Sequence, residues 1–142
     1  MTRHFDIAVI GAGSGGLSVA AAAAQFGQRV VLFEKGEMGG DCLNTGCVPS
    51  KALIRSARVA HYARRAEEFG LAPISVDVNF PAVMQRVQDI IQTIEPHDSV
   101  DRFTSLGVNC VQGNARILSP WAVEVNGEVL TSRHIVIASG AR

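Results

Sequence analysis

Residues 5–34, FDIAVIGAGSGGLSVAAAAAQFGQRVVLFE, decide the fold of this chain. Residues 5–11 are a short apolar run ending in glycine, which is typical of a buried parallel strand. An alanine-rich helix is predicted over residues 14–26, with Gly27 as its stop signal. Residues 29–34 form a second apolar run. Strand, tight turn, helix and strand within about 30 residues predict a right-handed βαβ unit with parallel strands.

The composition is that of one domain without a dominant charge. The chain has 142 residues, and its 13 basic and 13 acidic side chains give a formal net charge of zero. Nothing therefore indicates binding to nucleic acid or to an anionic membrane surface. Residues 7–24 are uncharged, but the four glycines among them disfavour a membrane helix. Three cysteines do not make a secreted disulfide scaffold, so we expect a soluble, cytoplasmic protein.

A glycine-rich turn stands between the first strand and the first helix. Gly11, Gly13 and Gly16 form GxGxxG, which is a weak pattern alone but lies here after a strand and before a helix. The three glycines would permit the tight turn, the approach of a pyrophosphate and close packing of the helix. Glu34 ends the second strand, where a carboxylate can accept hydrogen bonds from a ribose diol and repels a 2′-phosphate. The unit predicts binding of FAD or NAD; the alternative is an ordinary strand-end carboxylate beside a glycine turn.

Helices are predicted in the middle of the chain. One begins at Pro49 and continues to about Glu68, with Gly70 as its stop. Residues 71–79 are predicted to be a loop or extended segment. Apolar residues spaced three and four apart predict a second helix over residues 81–95, and residues 98–106 continue the helical pattern beyond Pro96. These helices would follow the βαβ unit.

Strands are predicted in the last third of the chain. The segment GVNCVQG is one strand, and WAVEVNGEVLTS carries the Asn-Gly pair of a type I′ hairpin. The segment HIVIASG is predicted to be a further buried strand. The fold class is therefore α/β, with a parallel core sheet and an added antiparallel β hairpin.

The stretch GGDCLNTGCVPSK, residues 39–51, raises a separate question about its two thiols. Cys42 and Cys47 would be roughly 8–9 Å apart on a straight helix, beyond the ~7 Å that a disulfide spans, so a redox pair needs a distorted first helical turn. A position at a helix N-terminus predicts lowered thiol pKa values. Zinc binding and two unrelated buried thiols remain alternatives. No metal site is predicted, because the four histidines are scattered, and Cys110 is predicted to be an inert core residue.

Taken together, these segments resemble the FAD-dependent pyridine nucleotide–disulfide oxidoreductases, a family that includes dihydrolipoamide dehydrogenase and mercuric reductase. The match runs through VIGAGSGG, LFEKG and GGDCLNTGCVPSK in order and spacing. Residues 112–115, QGNA, and 137–142, IASGAR, also resemble family segments that contact FAD. The resemblance covers essentially the whole chain and implies a Rossmann-like FAD-binding domain.

The resemblance implies specific roles. Cys47 would be the thiol nearer the flavin, Cys42 the thiol that meets the substrate, and Lys51 would lie beside the isoalloxazine. The implied cofactor-binding residues are Gly11, Gly13, Ser14, Gly16, Glu34, Lys35, Gly40, Asp41, Cys42, Cys47, Lys51, Gly113, Ala115, Ser139 and Gly140. Asp41 and Ser139 stand where the family usually has threonine. The carboxylate of Asp41 can cap a helix but is unfavourable near phosphates and opposes a low pKa at Cys42.

The family resemblance also implies what surrounds this segment. Residues 1–142 correspond to the N-terminal segment of an FAD-binding domain, and the abrupt end at Arg142 is read as a truncation. The NAD(P)-binding domain, the dimer-interface domain and their His–Glu acid/base pair would be absent. The parent, a homodimer, would pass electrons between NAD(P)H, FAD, the Cys42–Cys47 disulfide and a dithiol, disulfide or metal-ion substrate.

Two alternatives stay open. The chain alone could be an FAD-binding fragment without turnover, or an NAD-binding domain with incidental cysteines. The preference for FAD or NAD in a binding assay distinguishes the second of these from the first.

Overall fold

The βαβ unit forms as predicted and organises the rest of the chain. A computed structural model describes residues 4–141 and contains a six-stranded sheet with helices. The strands are β1 (His4–Ile10), β2 (Val30–Glu34), β3 (Asn109–Gln112), β4 (Arg116–Ser119), β5 (Ala122–Val125) and β6 (Glu128–Ile137). The helices are α1 (Ser14–Gln25), α2 (Gly40–Asn44), α3 (Cys47–Arg64), α4 (Phe80–Ile94) and α5 (Val100–Ser105), with 3₁₀ turns at Ala66–Phe69 and Glu95–Asp98.

The sheet order is β3-β2-β1-β6-β5-β4. The first four strands in this order are parallel, with Ile7 opposite Val30 and Ile10 opposite Ile137. β5 runs antiparallel to β6 and to β4. The predicted class, a parallel core with an antiparallel addition, is therefore confirmed. Since parallel strands share a direction, the carboxyl ends of β2, β1 and β6 meet at one edge, where open α/β sheets bind ligands.

Two apolar clusters fill the interior. One joins α1 and α5 to the sheet through buried residues that include Leu17, Leu32 and Phe103. The other packs the antiparallel strands against the parallel core, with Phe33 and Leu130 among its members. Each fully buried side chain of this size contributes about 1.5–3 kcal/mol, so the clusters hold the strand ends in place.

The predicted hairpin is confirmed, but the strand after it is not separate. Asn126 and Gly127 have φ values of 50° and 80°, as a type I′ turn requires. The first four residues of HIVIASG, His134–Ile137, are the end of β6 and not an independent strand, the last three lie beyond it, and the prediction that the segment is buried is wrong. Ile137 is 68% exposed, because β5 pairs only with the first part of β6. β4 was not predicted, since its four residues show no alternation of apolar and polar side chains.

The helices differ from the predictions mainly at their ends. α3 begins at Cys47, two residues before Pro49, and ends at Arg64; Gly70, with a φ of 75°, follows a separate 3₁₀ turn. Residues 71–79 lack helix and strand, as predicted. α4 begins one residue early because the Asn79 side chain accepts a hydrogen bond from the Ala82 N–H at 3.1 Å. Ser99 caps α5 through the Arg102 N–H at 3.2 Å.

The uncharged segment at residues 7–24 is divided between β1, the glycine turn and α1. Among the described residues, every helix is too short or too polar to cross a membrane.

Candidate functional site

A cleft of about 490 Å³ opens at the carboxyl ends of β1, β2 and β6, and we call it the glycine cleft. Its walls are the glycine turn, the start of α2 and the segments after β2, β3 and β6. The lining residues are Ile10, Gly11, Gly13, Phe33, Glu34, Lys35, Gly36, Glu37, Gly40, Asp41, Asn44, Thr45, Gly113, Asn114, Ala115, Ala138, Ser139 and Gly140. The site therefore combines segments that are far apart in sequence.

Close backbone contacts shape the glycine turn. A Cβ at Gly11, whose φ is 104°, would lie 2.2 Å from the Ala138 carbonyl oxygen. A Cβ at Gly16 would lie 1.8 Å from the Gly11 carbonyl oxygen. Gly13 differs, because its Cβ would meet nothing nearer than the Gly40 Cα at 3.9 Å. Gly11 and Gly16 are thus needed for packing, while the backbone at Gly13 is open to the cleft.

Glu34 is held at the wall of the cleft by backbone hydrogen bonds. One carboxylate oxygen accepts from the Ala12 N–H at 2.7 Å, and the other accepts from the Gly36 N–H at 2.7 Å. The Glu34 carbonyl accepts from the Gly113 N–H at 2.8 Å. Each carboxylate oxygen can still accept a further hydrogen bond, so a ligand hydroxyl can bind to a carboxylate whose position is already set.

The first turn of α2 packs against the glycine turn. The Gly39 N–H donates to the Ala12 carbonyl at 2.9 Å, and Gly13 and Gly39 form a single parallel β-bridge. Asn44 completes this junction by donating its side-chain amide to the carbonyls of Met38 and Gly40, at 3.1 and 2.9 Å. The segment that carries the cysteines is thereby attached to the cleft.

The two cysteines flank a break between helices. Cys42 lies within α2, Cys47 is the first residue of α3, and Gly46 lies between the two helices. The predicted distortion is therefore a full interruption of the helix, not a distorted first turn. Both residues are free thiols; Cys42 is half-buried and Cys47 is exposed.

The predicted lowering of the thiol pKa is wrong for Cys42. A hydrogen bond with the Cys47 thiol raises the pKa of Cys42, and burial and the charge of a Cys47 thiolate act in the same direction. The Cys47 backbone N–H and the Lys51 ammonium oppose this effect only in part. α2 has five residues, so its N-terminal field is weak compared with the neighbouring thiol. The Cys47 thiol is therefore near enough to affect the ionisation of Cys42, as a redox pair requires.

The predicted site residues fall into three groups. Ten of them line the glycine cleft: Gly11, Gly13, Glu34, Lys35, Gly40, Asp41, Gly113, Ala115, Ser139 and Gly140. Cys42, Cys47 and Lys51 form a second group beside it, which we call the thiol group. Gly16 is buried beneath the turn and Ser14 begins α1, so neither lines the cleft.

Sequence reasoning missed eight lining residues. They are Ile10, Phe33, Gly36, Glu37, Asn44, Thr45, Asn114 and Ala138. Most adjoin a predicted site residue, and Asn44 and Thr45 lie within the quoted cysteine motif. Their position next to a motif residue at the end of a strand was the sequence signal that could have predicted them.

Cys110 is not part of either group. It lies half-buried on β3, packed against the cluster beneath α1, and burial raises its pKa. Its placement agrees with the prediction of a core residue in that it packs against the cluster, although it lies at the edge of the core and is only half-buried. Among the described residues, no three histidine, cysteine or acidic side chains are grouped to bind a metal.

The glycine cleft fits a dinucleotide in its local chemistry. The opening at Gly13 lies beside the N-terminus of α1, where unpaired N–H groups favour a phosphate. The Glu34 carboxylate lies one strand away, in position to accept hydrogen bonds from a ribose. The residues present therefore fit a pyrophosphate-linked nucleotide.

Comparison with known proteins agrees with this geometry. The family model described as pyridine nucleotide-disulphide oxidoreductase matches residues 5–142. A dihydrolipoyl dehydrogenase of Chlamydia trachomatis is 37% identical over 99% of this chain and 31% of its own length. One of Bacillus subtilis is 36% identical over 100% of this chain and 32% of its own length. A mercuric reductase of Lysinibacillus sphaericus is 29% identical over 97% of this chain and 25% of its own length. The chain spans about a third or less of these relatives.

Proposed function

Because the chain belongs to the pyridine nucleotide-disulphide oxidoreductase family, we propose that it holds FAD next to a redox-active Cys42–Cys47 pair. The observation that carries the proposal is the attachment of the thiol segment to the glycine cleft through Gly13, Gly39 and Ala12. In the whole protein, electrons would pass between NAD(P)H and a dithiol, disulfide or metal-ion substrate. Dihydrolipoyl and mercuric substrates are suggested by the names of the relatives.

The chain's own residues would bind and orient the cofactor. The N-terminus of α1 and the open backbone at Gly13 would hold the pyrophosphate, and Glu34 would accept from the adenosine ribose. The remaining proposed contacts are Ser14, Gly16, Lys35, Gly40, Asp41, Gly113, Ala115, Ser139 and Gly140. FAD supplies two-electron transfer between a nicotinamide and a dithiol when it is bound.

The thiol group would store and pass on the electrons. Oxidation of Cys42 and Cys47 forms one S–S bond and releases two electrons and two protons. Cys47, exposed at the start of α3, is proposed as the thiol nearer the flavin, and Cys42 as the one that exchanges with substrate. The Lys51 ammonium favours the Cys42 thiolate, so it would assist the exchange step.

An absorption spectrum tests the cofactor proposal. The purified chain is incubated with FAD, freed of excess by gel filtration and examined between 350 and 550 nm, where flavins absorb. A retained, shifted flavin spectrum is expected, and Glu34→Gln should weaken retention. Retention of NAD in preference to FAD would overturn the proposal and favour a nicotinamide-binding domain.

The same preparation tests whether the chain by itself catalyses reduction of its bound flavin by NADPH or NADH. We propose that residues 1–142 are the N-terminal segment of an FAD-binding domain. The NAD(P)-binding and dimer-interface domains would lie in other parts of the whole protein. This agrees with the share of the relatives that the chain covers. Adding NADPH or NADH to the FAD-loaded chain should leave the flavin oxidised for minutes. Rapid bleaching would contradict the proposal.

The role of the thiol pair has its own test. The loaded chain is first oxidised to form the Cys42–Cys47 disulfide, and photoreduced flavin should then reduce this disulfide and give two additional titratable thiols. Cys47→Ser should abolish this gain, whereas Cys110→Ser, outside the thiol group, should leave it intact. Equal gains in both variants would overturn the assignment. A homodimeric parent and a cytoplasmic location stay predictions.

A further inference from the structure

The side chains that line the glycine cleft are more acidic than basic. Among its lining residues are the carboxylates Glu34, Glu37 and Asp41 and the single ammonium group of Lys35. Glu34 is engaged with two backbone N–H groups and lies in the region proposed for a ribose. Asp41 is different, because it belongs to the wall formed by α2. A carboxylate on that wall is unexpected in a cleft that takes a pyrophosphate.

The position of Asp41 follows from the packing of its two neighbours. Gly39 is bonded to the glycine turn through the Ala12 carbonyl, at 2.9 Å. Gly40 lies so close to the turn that a Cβ on it would be 2.7 Å from the Gly13 Cα. Asp41 is the next residue and lines the cleft. It therefore lines the same cleft as the open backbone of Gly13, directly after the residue that packs on Gly13.

Thr45, at the end of α2, is a neighbour of Asp41 on the cleft wall. The Thr45 N–H donates to the Asp41 carbonyl at 3.0 Å, which continues the helix. The Thr45 hydroxyl lies 3.5 Å from a carboxylate oxygen of Asp41 and 3.4 Å from its carbonyl oxygen, both at the long limit for a hydrogen bond. Thr45 also lines the cleft. Asp41 and Thr45 therefore share the cleft wall that α2 forms, with the Thr45 hydroxyl near the Asp41 carboxylate.

We infer that Asp41 is a specificity-determining residue that weakens the hold of the cleft on a pyrophosphate, an inference that rests on the proposed function. Carboxylate and phosphate oxygens are both acceptors at neutral pH, so they cannot bond to each other and their charges repel. A threonine at this position would offer a hydroxyl donor instead. Asp41 makes FAD exchangeable and makes its affinity depend on ionic strength.

Flavin fluorescence titrations of the 142-residue chain test the inference. Asp41→Asn removes the charge at constant size, and Asp41→Thr restores a donor. At low ionic strength, FAD should bind about tenfold more tightly to both variants than to the unmodified chain. At about 1 M NaCl the difference should shrink to less than about threefold, because salt screens the repulsion. Asp77→Asn, the same change in the exposed loop at residues 71–79, should alter neither affinity.

The possible outcomes separate this inference from the proposed function. Equal FAD affinities for Asp41, Asn and Thr would overturn the inference while the proposed function stands. Weaker binding by Asp41→Asn would also overturn it, because the carboxylate would then be an acceptor for cofactor hydroxyls. If neither the unmodified chain nor either Asp41 variant bound FAD, although all three unfolded cooperatively in urea, the proposed function would fail and the inference with it. Tighter binding with no salt dependence would exclude charge repulsion as the cause.

Discussion

The glycine cleft and the thiol group lie side by side but are built in opposite ways. The cleft is defined by backbone atoms packed against backbone atoms, as between Gly16 and the Gly11 carbonyl. The thiol group consists of side chains, with Cys42 and Cys47 flanking a break between helices, Lys51 following in α3, and Cys47 exposed. At Gly11, Gly16 and Gly40 the first arrangement has no room for a Cβ, whereas the second leaves Cys47 exposed for exchange. Cofactor placement and thiol chemistry make these different demands, and residues 39–51 join the two regions, because Gly40 packs on Gly13 and both cysteines follow in the same segment.

The largest difference between the two regions should appear in stability. An alanine Cβ at position 16 would lie 1.8 Å from the Gly11 carbonyl oxygen, so α1 would have to move away from β1. We expect Gly16→Ala to lower the free energy of unfolding by about 3 kcal/mol, as measured by urea unfolding. FAD retention should be lost as well.

The adjacent glycine provides the matched control. A Cβ at Gly15 would meet nothing within 4 Å. Gly15→Ala should therefore leave stability unchanged or raise it by up to about 1 kcal/mol, because alanine favours the helix. If both variants had the same stability, packing at Gly16 would not be what holds the turn.

The next effect concerns the carboxylate that joins the turn to β2. Glu34→Gln leaves one acceptor oxygen for the two N–H groups of Ala12 and Gly36. One of them would face an amide N–H₂ group, which should cost about 2 kcal/mol of unfolding free energy. Urea unfolding of Glu37→Gln, an exposed carboxylate of the same cleft, should show a change below about 0.5 kcal/mol. Equal losses would mean that charge alone, and not these bonds, matters.

Gly46, a crowded glycine between the two cysteines, should affect thiol chemistry more than stability. A Cβ at Gly46 would lie 2.8 Å from the Asp41 carbonyl oxygen, so Gly46→Ala should separate α2 from α3. We expect a loss of about 1 kcal/mol in unfolding free energy. The rate of disulfide formation between Cys42 and Cys47, monitored as the loss of titratable thiols, should be several-fold lower than in Gly15→Ala. An unchanged rate would show that the thiols approach each other independently of this glycine.

The smallest effect on stability is expected at the thiol pair, where the change should appear instead in the pH at which Cys42 ionises. Its raised pKa means that its alkylation by iodoacetamide, measured by peptide mass spectrometry, should begin at higher pH than for an ordinary thiol. Cys47→Ala removes the hydrogen-bonding thiol, so the pKa of Cys42 should fall and the profile should move to lower pH. Stability below the thiol titration range should stay within about 0.5 kcal/mol. An unmoved profile would mean that burial, not Cys47, raises the pKa.

Much of the fold was predictable because local signals agreed with one another. The apolar run of β1, the glycines after it and the alanines of α1 each favour the conformation they adopt, and Asn126-Gly127 dictates a type I′ turn. HIVIASG misled the prediction because its apolar content indicates burial, whereas burial depends on what covers a strand. β4 carries no periodic pattern and forms only because β5 offers an edge to pair with.

The candidate site was predictable residue by residue but not as an arrangement. The motif residues Gly11, Glu34 and Ser139 belong to three segments, and their meeting at one edge depends on the parallel sheet order. The lowered pKa expected from a helix N-terminus did not hold for Cys42, because helix length and the neighbouring thiol decide its environment.

The sequence by itself determined the βαβ unit, the hairpin and the chemical types at the site, because turns, caps and periodic apolar runs act over a few residues. The tertiary structure alone decided that α2 packs on the glycine turn, that Asp41 lines the cleft and that the Cys47 thiol raises the pKa of Cys42. Those relations depend on contacts between backbone segments brought together by the sheet, and such contacts carry no signal in the local sequence.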